Sequence, residues 1–391
     1  MKKIITIFLS LSLGLFAMSY EQFKKYIEKN AKALQSQALS LQTTQEENKI
    51  LLRTQNPTLE IEASRFNPNS IESRFGYSVI ASQTVRTGNY YGGLEDQATA
   101  STLLQQAYVH DGKAGYFRTL ENLYTEYVYQ SKLLALLQEE YTLSNKMTDM
   151  VHERYKSGSE NKVAYLQAKT DTMMLKTQMY TTKQEMHKLY YQLLAIAGLS
   201  MKVSLEKHFI YSVSTQTSSV AKTNPKEQIL EAKKKLLESK IRINESSINS
   251  YKVYGGIEDE PEQSILRIGV SIPLPIWNEK SEEKALAKLQ MQQLSLDKEQ
   301  LNIDLISQKE MIKASIRELS EQYRSLKNLK KEQQILNDIL QEGYKIAQGS
   351  IFEMMSAKNK LIQTQKSLLQ THKTINNQKI ELRFIQGQYN D

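Results

Sequence analysis

Metal binding is the first chemistry to test in a chain with five histidines. They stand at His110, His152, His187, His208 and His372. No two have the His-x-x-x-His spacing that would put both rings on one helix face. Each reads as a surface residue. Met173-Met174 and Met354-Met355 carry soft thioether sulfur. Neighbours in sequence point to different faces of a helix, so both pairs read as packing residues. There is no cysteine, which excludes disulfides, thiolate metal sites and a lipid on an N-terminal cysteine. Gly-Lys-Ser phosphate loops, Gly-x-Ser-x-Gly elbows and His-Glu-x-x-His are missing too. The residues assemble no reaction centre, so the chain reads as a non-enzyme with no cofactor and no resident metal ion.

The formal charge is +8. A nucleic-acid surface needs basic residues clustered in a patch or a reader motif. Here the signs alternate, as in Glu282-Glu283-Lys284 and Lys330-Lys331-Glu332, which describes solvated helix faces and argues against nucleic acid as a partner. With 391 residues the chain is long enough for two domains, yet it holds only 15 Gly and 6 Pro. So few breakers favour long helices over a compact sheet protein.

The start resembles an export signal. Lys2 and Lys3 precede an apolar run over 4–16, and Ala17-Met18-Ser19 supplies a small-x-small cleavage pattern. The run is too short to span a bilayer as a helix. The mature chain is expected to begin near Tyr20. No other stretch reaches about 18 uninterrupted apolar residues, so any membrane entry must use strands.

From 20 to 55 the pattern is helical, and Asn56-Pro57 ends it, because a residue before proline leaves the α region. Leu59, Ile61 and Ala63 then alternate with polar residues, as do Phe75, Tyr77, Val79 and Ala81; this period of two marks strands with one apolar face. The turn between them is Asn67-Pro68-Asn69-Ser70. A long helix is predicted over 90–156, with a weak point at Asp111-Gly112 and Gly115. Lys156-Ser157-Gly158-Ser159 breaks it, and a return helix runs from 161 to 197 and stops at Gly198. Residues 212–223 form a Ser/Thr-rich linker.

The plan then repeats. Asn224-Pro225-Lys226-Glu227 is a helix start, with an Asn cap, Pro in the first turn and a following Glu. Tyr251, Val253, Gly255 and Ile257 alternate, an acidic turn follows over 258–262, and Leu266, Ile268, Val270 and Ile272 alternate before Pro273 and Pro275. A long helix is predicted over 279–347 and a return helix over 350–386, stopping at Gly387. Tyr155-Lys156, Ala168-Lys169, Thr182, Leu193 and Gly198 match Tyr344-Lys345, Ala357-Lys358, Thr371, Leu382 and Gly387 at one constant offset. The domains are therefore a signal peptide (1–19), a first repeat (20–211), the linker (212–223) and a second repeat (224–391). Each long helix would extend roughly 100 Å.

Four strands cannot close a barrel. In lipid each unpaired edge group costs several kcal/mol, and small membrane barrels begin at about eight strands. Closure needs further copies of the chain; three copies would supply twelve strands. The alternative is a soluble sheet packed under the chain's own helices.

This plan resembles the TolC family of outer-membrane efflux proteins. The resemblance rests on Tyr155-Lys156-Ser157-Gly158-Ser159 followed by Tyr165-Leu166-Gln167-Ala168, on the second-half equivalent at 344–357, and on Gly269-Val270-Ser271-Ile272-Pro273-Leu274-Pro275-Ile276-Trp277-Asn278 with its first-half counterpart at 82–88. The Ser-Ile-Pro-Leu-Pro run is most similar to the CzcC-like heavy-metal branch. The resemblance implies a mainly helical fold with a small β part. It implies a homotrimer whose twelve-strand β-barrel sits in outer-membrane lipid above an α-helical barrel in the periplasm. It implies a periplasmic adaptor protein and an inner-membrane pump, often of the RND class. The hairpin tips, Lys156, Ser157, Gly158 and Ser159 with Ala347, Gln348, Gly349 and Ser350, would face the adaptor. Ala347 stands where the first tip has Gly158. Arg154, Glu160 and Glu353 near the tips are candidate gate residues; the alternative for each is an ordinary solvated charge. The expected function is a passive exit duct, with heavy-metal cations as cargo. The alternatives are a drug-efflux or type I secretion duct, or a periplasmic coiled-coil scaffold without a pore.

Overall fold

Capping chemistry sets the helix boundaries. A computed structural model describes residues 17–67, 73–215, 222–346 and 349–389. The expected leader residues 1–16, the turn residues Pro68, Asn69 and Ser70, part of the linker, and the tip residues Ala347 and Gln348 lie outside the described residues. Helices α1 (Tyr20–Asn30) and α2 (Lys32–Leu52) lead into strands β1 (Thr58–Phe66) and β2 (Arg74–Arg86). Helices α3 (Gly88–Lys156) and α4 (Lys162–Ala197) follow. After the linker come α5 (Pro225–Glu245), β3 (Ser250–Glu260), β4 (Gln263–Ser271), α6 (Ser281–Lys345) and α7 (Ile351–Ile385). The long helices have 69 and 65 residues, the return helices 36 and 35, and α2 and α5 have 21 each.

Three expectations need correction. The opening helix is broken at Ala31, whose ψ of 121° leaves the helical region, and it ends at Leu52, short of Pro57. Tyr20, Phe23 and Ile27 make a buried stripe on α1, whereas α2 buries no residue, so the two pieces answer to different surroundings. The weak point at 111–115 does not break α3. Gly112 instead makes room for Gln37, whose amide would lie 2.6 Å from any added Cβ. The acidic turn is shorter than expected: Glu258, Asp259 and Glu260 are still in β3, and Pro261-Glu262 alone reverse the chain.

The chain forms two units, and each takes residues from both sequence repeats. One contains 36–112 and 223–305. Its α5 begins with a capping box, in which Asn224 and Glu227 each accept from the other's backbone N–H, and Pro225 occupies the first turn. Its sheet is antiparallel in the order β1-β2-β3-β4. The register puts Ile61, Val79, Ile257 and Leu266 in one row across all four strands, and Leu59, Ala81, Gly255 and Ile268 in another. Alternation therefore gives the sheet one continuous apolar face. The opposite face carries Glu60, Glu62, Ser78, Ser82, Glu258 and Arg267, with Ile80 and Ile265 among them. Arg267 Nε donates to Glu258 across that face at 2.6 Å.

The other unit contains the chain up to Gln35 together with 113–222 and 306–391. Phe23, Ile27, Phe117, Leu120, Tyr124, Val128 and Leu193 form its largest apolar core. A buried polar knot adjoins that core. Glu121 is wholly buried and accepts from the hydroxyls of Tyr20 (3.0 Å), Tyr211 (2.9 Å) and Tyr389 (2.5 Å), and Arg383 Nη1 lies 3.3 Å away. The start of α1, the end of the first repeat at Tyr211 and Tyr389 near the end of the chain are thus fastened to one carboxylate on α3.

Candidate functional site

Residues next to the two helical hairpin tips, Arg154, Glu160 and Tyr344, meet in that second unit. The first tip is closed by backbone geometry. Ser159 N–H and Glu160 N–H both donate to Arg154 O, at 2.8 and 3.1 Å, and Ser157 Oγ donates to the same carbonyl. Gly158 has φ of +76°, a left-handed conformation that side-chain-bearing residues rarely adopt. Asn161 then starts α4 by accepting from Ala164 N–H at 2.8 Å. In the second tip Ser350 is the residue before α7, but its hydroxyl makes no cap bond. Gly349 lies so close to the end of α6 that an added Cβ would stand 3.0 Å from Tyr344 N.

Arg154 links the hairpins. Its Nη1 donates to Tyr344 O at 2.8 Å, and its guanidinium lies 4.4 Å from the centre of the Tyr344 ring. The Tyr344 hydroxyl donates to Glu160 at 3.3 Å. Tyr344 is fully buried, packed with Met147, Val151, Ala164, Ile351 and Met354. That burial, and then the Glu160 carboxylate, push its hydroxyl pKa up to about 12, against the opposing pull of Arg154. Two of the three charges singled out in the sequence, Arg154 and Glu160, are therefore brought together around one aromatic ring. Glu353 is not brought to them; it is exposed in the first turn of α7. Lys156 pairs with Glu153 along its own helix at 2.9 Å.

Tyr344 was missed as a site residue, although the match of Tyr155-Lys156 to Tyr344-Lys345 was its signal. Glu121 gave no local signal, because its three tyrosine partners come from distant parts of the chain. The methionine pairs differ from each other. Met354 and Met355 are buried beside the tips, whereas Met173 and Met174 are exposed rather than packed. Among the histidines, His110 bonds Gln228, His152 lies tilted against the Tyr165 ring, and His187 and His208 are exposed. His372 departs from the surface expectation. It lies against Phe209, and burial moves its pKa down.

No protein-family profile matches the chain, and no curated protein matches it in sequence. Solved structures do match in shape. CusC, whose crystal structures follow its folding and transmembrane channel formation, superposes with a TM-score of 0.78 over 96% of this chain and 95% of its own, at 16% identity. The outer-membrane protein VceC of Vibrio cholerae gives 0.79 over 94% and 95%, at 11% identity. The outer-membrane channel CmeC of Campylobacter jejuni gives 0.76 over 93% and 85%, at 14% identity. These neighbours are TolC-family outer-membrane channels. The chain thus has the TolC-like channel fold, mostly helical with a small antiparallel sheet.

Proposed function

We propose that this chain is one subunit of a homotrimeric outer-membrane exit duct. It would carry substrates delivered by an inner-membrane pump, of the RND class, through a periplasmic adaptor. The observation that carries this reading is the sheet. Leu59, Ile61, Phe75, Val79, Ile257, Leu266, Ile268 and Val270 share one face and are all exposed, Ile268 at 80%. A face of this kind favours lipid over water, and the chain's own helices do not cover it. β1 and β4 also end the sheet with open edges. In lipid those edges must pair, and the β4 edge of one copy with the β1 edge of the next is the closed solution. Three copies make a barrel of twelve strands, its charged face inward. Ile272, Leu274, Ile276 and Trp277, exposed just beyond β4, suit the boundary between lipid and water. The helical part would stand in the periplasm, and the N-terminal leader would direct export.

In this reading the hairpin tips, 156–159 and 347–350, meet the adaptor, and the Arg154–Tyr344–Glu160 contacts hold the periplasmic end shut. Opening is then a population shift, driven by an adaptor that binds the parted tips better than the closed ones. A duct moves its cargo down a gradient made elsewhere and needs no catalytic group. Heavy-metal cations are the proposed cargo, supported by the Ser271-Ile272-Pro273-Leu274-Pro275 run.

Outer-membrane fractions run unheated on a denaturing gel should give a trimer band that collapses on boiling, and the purified protein should conduct ions in a planar bilayer. A carbonate-soluble monomer without conductance ends the duct reading in favour of a scaffold. Deleting the gene should raise sensitivity to zinc, copper or silver. Loss of drug tolerance or of protein secretion with unchanged metal tolerance moves the cargo to the alternative classes.

A further inference from the structure

Residues 18 and 19 belong to the folded protein, which bears on where its leader is removed. Met18 N–H donates to Ser204 O at 2.8 Å, and Glu206 N–H donates to Met18 O at 3.0 Å. These two bonds make a parallel bridge between Met18 and the buried Leu205. The Met18 side chain packs against the main apolar core of its unit. Ser19 is the N-cap of α1: Gln22 N–H donates to Ser19 Oγ at 3.3 Å, and Ser19 N–H donates to Gln22 Oε1 at 3.0 Å. The next residue, Tyr20, reaches Glu121.

Removal of both residues would strip the bridge and the capping box from α1. It would also leave the ammonium of Tyr20 at the positive end of the helix dipole, where a positive charge is unfavourable. Scission directly after Ala17 has neither cost. The new ammonium would form on the Met18 nitrogen, which already faces the Ser204 carbonyl and gains a charge-assisted bond there. Ala17 supplies a small residue just before this bond, with Leu15 rather than a small residue two positions earlier.

We propose that the leader is cut at the Ala17–Met18 bond, so that Met18 is the first residue of the mature chain. A signal peptidase would hydrolyse this peptide bond with one water. The carboxylate stays on Ala17 and the amine on Met18. This rests on the reading of 1–17 as an export leader.

The test is terminal-peptide mass spectrometry on the chain recovered from the outer-membrane fraction. A first peptide starting Met18-Ser19-Tyr20-Glu21 is expected. A start at Tyr20, or at any residue before Met18 other than Met1, overturns the assigned bond. A start at Met1 removes the export-leader reading itself, a separate failure. Two variants sharpen the result. Ala17→Tyr should block the cut and accumulate the precursor, whereas Ser19→Tyr should leave the mature start unchanged. Precursor accumulation in Ser19→Tyr places the bond after Ser19 and refutes the proposal, because Ala17→Tyr blocks scission at either bond.

Discussion

Arg154 and Tyr344 join the two helical hairpins by two contacts at once, a 2.8 Å hydrogen bond to the Tyr344 carbonyl and a guanidinium 4.4 Å above its ring. A bond from a charged donor is worth about 1.5–3 kcal/mol, and the ring contact roughly 0.5–1 kcal/mol where partly exposed. Arg154→Ala removes both. The closed state should lose about 2–3 kcal/mol, which moves a closed-to-open ratio by roughly 30- to 150-fold. Conductance in planar bilayers should rise accordingly, with trimer yield unchanged. Arg154→Lys keeps the charge without the planar fork and should fall between. Wild-type conductance in Arg154→Ala would remove this contact from the gate.

The sheet gives a test with an internal control. Ile268→Lys puts an ammonium on the proposed lipid face, at a cost of about 2–4 kcal/mol per subunit near mid-membrane. Outer-membrane trimer, measured as the heat-modifiable band, should nearly vanish. Glu62→Lys lies on the charged face, alternates with Ile61 along β1, and should assemble at close to the wild-type level. Equal yields from the two variants would mean that neither face meets lipid.

Glu121 should matter to stability and not to conduction. It is wholly buried, and its loss leaves Arg383 and three tyrosine hydroxyls without their common acceptor. Removing one partner of a buried ion pair costs about 3–5 kcal/mol. Arg383 is 28% exposed, so water offsets part of this, and about 3 kcal/mol is expected for Glu121→Ala. Thermal unfolding followed by circular dichroism should show the lower midpoint. Tyr389→Phe should show a smaller drop, since it removes one hydroxyl alone.

His372 predicts a dependence on acid. Burial lowers its pKa, the Tyr211 carbonyl opposes that shift, and Lys132 and Lys379 add to it. With the folded pKa below the unfolded value of about 6.5, the unfolded chain binds more protons in that interval. The contribution is complete above pH 6.5 and is lost as pH falls below it. The midpoint of thermal unfolding should therefore drop between about pH 7 and pH 5. His372→Gln should flatten that slope. An unchanged slope in the variant would assign the acid sensitivity to other groups.

Much of this protein was legible in the chain by itself, because its elements are set by local rules. Asn161 and Asn224 cap helices, Gly158 and Gly198 supply left-handed turns, and the alternation of Leu59, Ile61, Phe75 and Val79 marks strands that need one apolar face. Each depends on a residue and its near neighbours, so one sequence suffices to place it. The break at Ala31 and the unbroken run through Gly112 were settled elsewhere, by the core against α1 and by Gln37 against α3. Only the tertiary structure placed Tyr344 between Arg154 and Glu160, and gathered Tyr20, Tyr211 and Tyr389 around Glu121. Those contacts join residues far apart in the chain, and no periodicity or capping rule encodes which distant partner a buried polar group will find.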